Sequence, residues 1–86
     1  MDLISLRKEI DKIDNQLLDL FLKRMEYVEK ISLIKKEENK KILDEGREKE
    51  IILRLNKKTF KYNEETEEFF KNILKISKKF QENQIK

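Results

Sequence analysis

The sequence predicts an all-α protein of three helices, one long, one short and one of medium length. Three observations carry that expectation. Apolar residues recur at alternating steps of three and four, the period that gathers them on one side of a helix. The 86 residues contain no proline and a single glycine, Gly46, so the breakers and hairpin turns of a β protein are lacking. Charged residues make up 45% of the chain and hydrophobics 37%, which suits amphipathic helices with solvated outer faces.

The first segment, about Asp2 to Lys36, carries the stripe Leu3, Leu6, Ile10, Ile13, Leu17, Leu20, Tyr27, Ile31 and Ile34, with Arg24 in the apolar register. At 1.5 Å per residue it spans roughly 50 Å, too long for one small chain to cover. The stripe is therefore expected to find cover on a second copy in a two-fold dimer. The polar stretch "KKEENKK", Lys35 to Lys41, ends this segment, with Asn39 as a terminator. The second segment starts near "ILDEGREKEIILRL", with Asp44 as N-cap or first-turn acid and Ile42, Leu43, Ile51, Ile52 and Leu55 on its buried side. "NKKTFKYN", Asn56 to Asn63, is the second connection, and Asn63 is expected to cap the third helix. That helix, about Glu64 to Asn83, has two rows, one of Phe69, Ile73, Ile76 and Phe80, the other of Phe70, Leu74, Ser77 and Gln81. Residues 1–86 are read as one domain.

The absence of cysteine and histidine excludes disulfides, the usual zinc sites, thiol nucleophiles and Ser-His triads. Any chemistry must come from Arg, Lys, Asp, Glu, Gln, Ser or Tyr. The net charge is +3, but Lys and Glu alternate along the chain, which argues against nucleic acid as a partner. Charges at Asp2, Arg7, Lys8, Glu9 and Asp11 interrupt any signal-peptide pattern, and no run approaches a membrane span, so a cytoplasmic location is expected.

Certain polar residues occupy positions where burial is expected. Arg24, Ile31 and Lys35 share a helix face, because eleven residues bring the wheel back to within about 20°. Two cations aimed at one interior space repel unless an anion sits between them; alternatively, Arg24 sets the register of a coiled coil and Lys35 is surface. Arg7 points about 100° away from Arg24, so it cannot easily serve the same pocket within one chain, although an antiparallel helix dimer brings it near the partner's site. Asp44, Arg47 and Glu48 stand at i, i+3 and i+4 on one face, either as part of a site or as a surface salt bridge with a cap. Ser77 and Gln81 continue a buried row, where they either cap a fraying end or face a polar ligand. Taken together, these groups suit a small dianion whose reaction needs orientation and charge stabilisation but no covalent chemistry.

The signatures "LRKEIDKID", "LFLKRMEYVEKISLIK", "ILDEGRE" and "ISKKFQ", in this order, resemble the all-helical chorismate mutases of the AroQ class over essentially the whole chain. The resemblance implies an intertwined homodimer of three-helix protomers that converts chorismate to prephenate, in phenylalanine and tyrosine biosynthesis, by a [3,3] Claisen rearrangement without cofactor or metal. It implies that Arg24, and Arg7 from the opposite protomer, pair with the substrate carboxylates, assisted by Ser77. Lys35 and Gln81 would donate to the ether oxygen, Glu48 with the backbone near Asp44 would hold the hydroxyl, and Arg47 would brace this acidic pair. Two other readings use the same helices: an isochorismate-pyruvate lyase on the same scaffold and a non-catalytic helical dimerisation module. With no regulatory domain in the sequence, an unregulated stand-alone enzyme is expected.

Overall fold

The computed structural model describes residues 2–85, which form three helices, α1 (Leu3–Glu37), α2 (Glu45–Asn56) and α3 (Asn63–Ile85). The all-α expectation and the long, short and medium order hold. Among the described residues there is no strand, and no helix is long and apolar enough to cross a membrane.

Each helix end has a local cause. Asp2 caps α1, its side chain accepting from the Ser5 N–H at 2.8 Å. Lys35 and Lys36 stand in the last turn, where cations complement the partial negative charge of the helix end. Asn39 then turns left-handed at φ 55°, and Asn is among the few side chains that tolerate this. The Lys40 N–H returns to the Lys35 carbonyl at 2.7 Å and the Asn39 N–H to the Lys36 carbonyl at 3.2 Å, which makes a Schellman stop. Asp44 caps α2 through its side chain, which accepts from the Arg47 N–H at 3.0 Å.

Two expectations about the connections need correcting. Asn63 is the first residue of α3 and not its cap: the Thr66 N–H donates to the Tyr62 carbonyl at 2.9 Å. The Thr59 hydroxyl already accepts from the Tyr62 N–H at 3.2 Å, and the Asn63 amide, oriented to donate, turns back to the Thr59 and Asn56 carbonyls. Leu43 is 46% exposed, because α2 begins only at Glu45 and Leu43 lies in the strap before the cap.

Helix α3 packs against both α1 and α2, whereas α1 and α2 have no Cα pair within 8 Å of each other among the described residues. Among the described residues the buried apolar core is small, one residue from each helix: Val28, Ile51 and Leu74. The row of α3 that ends in polar residues is the more deeply buried one, with Leu74, Ser77 and Gln81 inside and Phe69 and Ile76 each 47% exposed. The molecule measures 53 × 25 × 15 Å, and the α1 stripe from Leu3 to Leu20 stays 45–64% exposed.

Two substitutions test this account of the turns. A Cβ at Gly46 meets only Asp44 Oδ1, at 3.7 Å, so Gly46→Ala raises stability by about 0.5–1 kcal/mol. Asn39→Val lowers stability by about 1–2 kcal/mol, since a β-branched residue resists a positive φ. Chemical denaturation of the two variants at fixed protein concentration checks both signs.

Candidate functional site

Because α3 holds α1 and α2 apart, a hollow of about 350 Å³ opens between them. From α1 it is lined by Arg24, Ile31 and Lys35, which the eleven-residue spacing places on one face, together with Tyr27 and Val28. The strap contributes Ile42 and Asp44, α2 contributes Arg47, Glu48 and Ile51, and α3 contributes Leu74, Ser77, Lys78 and Gln81. Arg7 is exposed and does not line the hollow. It lies about 25 Å along α1 from Arg24, so the geometry does not bring the two together within one chain.

The Arg24 guanidinium donates to Ser77 Oγ at 2.7 Å, and the Ser77 hydroxyl donates its own proton to the Ile73 carbonyl at 2.9 Å. Ser77 is thus oriented as an acceptor, and it fixes one edge of the guanidinium. No carboxylate pairs with Arg24 among the described residues. Burial, and after it the like charge of Arg47, pull the Arg24 guanidinium below its ordinary pKa. Arg24 therefore sits in a place that disfavours a cation and that a nearby anion would relieve.

Lys35 donates to the Ile42 carbonyl at 2.6 Å and to Gln81 Oε1 at 3.2 Å. With its oxygen engaged by an ammonium, the Gln81 side chain has its NH₂ group left to donate, and Lys35 keeps one further N–H. The remaining side chains depart from the expected pattern. Arg47 does not brace Asp44 and Glu48: its guanidinium donates to Glu50 at 2.7 Å, one turn further along the exposed side, while its backbone N–H takes the Asp44 cap. Glu48 pairs instead with Lys78, at 3.1 Å. Lys78 was not singled out in the sequence. Its signal was its position between Ser77 and Gln81, hidden by the abundance of lysine.

The lining carries four cations, Arg24, Lys35, Arg47 and Lys78, against two carboxylates, Asp44 and Glu48, a net charge of +2. Next to it, on the other side of Arg24, an apolar groove is lined by Leu17, Leu18, Leu20, Phe21, Phe69, Phe70, Ile73 and Ile76. A cavity of this kind can bind a small anion with two charges, present donors to a point on it, and offer a carboxylate to a hydroxyl. It contains no nucleophile activated by a base.

The family model described as chorismate mutase type II matches residues 6–82 of the chain. No curated protein and no solved structure gives a match.

The state of Arg24 predicts a linked pair of outcomes in thermal unfolding. A small dicarboxylate such as malonate raises the Tm of the wild-type protein and leaves that of Arg24→Leu unchanged. Without ligand, Arg24→Leu unfolds at or above the wild-type temperature, because a desolvated cation has been removed.

Proposed function

The chain belongs to the chorismate mutase type II family, and from that premise we propose that it converts chorismate to prephenate by the intramolecular [3,3] rearrangement. In this step the ether C–O bond breaks as a C–C bond forms. No proton moves and no group leaves, so the protein's task is to hold the reactive conformer and stabilise the charge that grows on the ether oxygen.

The observation that carries the proposal is a guanidinium with no acidic partner among the described residues, in a hollow of net charge +2, which complements a dianion. Arg24 takes one carboxylate, with Ser77 holding the guanidinium at the required angle; a planar fork matches a carboxylate in two bonds where an ammonium makes a point contact. Lys35 and Gln81 aim their remaining N–H groups at the ether oxygen. The negative charge there is larger in the transition state than in the substrate, so these donors lower the barrier and do not merely tighten binding. Glu48 accepts from the ring hydroxyl, near the backbone at Asp44.

The second carboxylate belongs to Arg7 of a second copy. The exposed α1 stripe and the apolar groove beside Arg24 are together suited to burial in an intertwined homodimer, in which the N-terminal part of one α1 crosses the middle of the other. Burying such side chains is favourable by about 25 cal/mol per Å² of apolar surface, and a core of three buried hydrophobics among the described residues leaves the lone protomer short of that contribution.

The direct test is loss of chorismate absorbance with purified protein, with isochorismate as a second substrate. Chorismate is turned over with the larger kcat/KM; preference for isochorismate with pyruvate release reassigns the scaffold to the lyase reaction. Arg24→Ala and Lys35→Ala each lower kcat/KM by about 10²-fold or more. If Arg7 acts in trans, inactive Arg7→Ala and Lys35→Ala chains regain part of the activity when mixed and allowed to exchange subunits. No recovery after verified exchange removes the trans role.

A further inference from the structure

Two cations of the hollow have no role in the proposed mechanism, Arg47, whose guanidinium is taken by Glu50 on the exposed side, and Lys78. Its ammonium lies 3.3 Å from one oxygen of Glu48 and 3.1 Å from the other. Among the described residues this is the only ion pair that joins two helices; the others link neighbours along one helix or strap. It is also the most enclosed: its side chains are 33% and 26% exposed, whereas every other paired side chain is at least 42% exposed.

The arrangement follows from helix geometry. Lys78 projects about 100° around α3 from Ser77. Ser77 and Gln81 receive the two cations of α1 on one flank, and Lys78 reaches across to α2 on the other. α3 thus ties both walls of the hollow, and Glu48 is held by the second tie. A free glutamate samples many rotamers, most of which carry its carboxylate away from a ligand in the hollow. A carboxylate has about four acceptor positions, so one ammonium shared between the oxygens leaves capacity for a hydroxyl.

We propose that Lys78 is a positioning residue: by pairing with Glu48 across the gap between α2 and α3, it fixes the carboxylate that receives the ligand's hydroxyl and gives the hollow its preference for a hydroxylated dianion. This rests on the proposed chorismate mutase reading. Lys78 also contributes one of the four positive charges. A purely electrostatic contribution would act on any dianion, with or without the hydroxyl, and this separates the two effects.

The experiment compares wild type, Lys78→Met and Lys78→Arg on chorismate and on its 4-deoxy analogue. Lys78→Met lowers kcat/KM for chorismate by about tenfold or more, the scale of a lost charge-assisted contact, and for the deoxy analogue by less than about twofold. Lys78→Arg keeps the ion pair and stays within about threefold of wild type on chorismate. Should circular dichroism show Lys78→Met to be unfolded, the same ratio is read on Lys78→Gln. Equal losses on both substrates, or no loss on either, overturn the positioning role and leave the mutase reading intact. Wild-type protein inactive on chorismate removes the mutase reading, and the inference with it.

Discussion

A guanidinium set in a half-buried wall, with a neutral hydroxyl as its hydrogen-bond partner, is the constraint around which this small protein is arranged. Ion desolvation costs on the order of several kcal/mol when nothing compensates it. A fold that needed only stability would have used Leu at position 24, in register with Leu17, Leu20 and Tyr27. Arg24 is tolerated because it is only partly buried, because the Ser77 hydroxyl, itself anchored on the Ile73 carbonyl, engages one edge, and because the side chain lines an open hollow. The same features that make the site costly to the apo protein make it receptive to a carboxylate.

The polar side chains of the hollow also do structural work that apolar packing does elsewhere. With one buried hydrophobic residue from each helix among the described residues, the fold depends on α3 as a spacer, and the contacts that tie α3 to its neighbours include Arg24 to Ser77, Lys35 to Gln81 and Lys78 to Glu48. Lys35 also donates to the Ile42 carbonyl, which fastens the strap that leads into the Asp44 cap. Site and fold therefore share residues. Loss of one cation alters both the electrostatics of the hollow and the separation of its walls, which is why stability has to be measured beside activity in any variant of these positions.

Much of this was legible in the sequence because helices translate spacing into direction. The three-four alternation gave three helices with ends close to those observed, Asp44 had the chemistry of a cap, and the interval from Arg24 to Lys35 implied a shared face. Ser77 and Gln81 were visible as polar residues in an apolar row. What stayed hidden involved choices among equivalent partners. In a chain with 21 Lys and Arg and 18 Asp and Glu, nothing local distinguishes Lys78 from its neighbour Lys79, or tells Arg47 to pair with Glu50 and not with Glu48. Ser32, 1% exposed with its hydroxyl unpartnered, reads in the sequence as an ordinary polar residue, although it lies one turn from the buried Val28. Asn63 had the residue type of a cap, but the Thr59 hydroxyl one turn earlier had already closed that turn.

The claim at the centre is that Arg24 and Lys35 face one bound molecule from the same wall, one holding a carboxylate and the other an ether oxygen. A crystal structure with a bicyclic ether dicarboxylate, shaped like the cyclic transition state of the proposed rearrangement, tests it most directly. The expected complex has a carboxylate in a two-bond fork with Arg24 and the ether oxygen within about 2.7–3.2 Å of Lys35 Nζ and Gln81 Nε2. A ligand seated elsewhere, or Arg24 turned away to an acidic side chain while the ligand is bound, would contradict it.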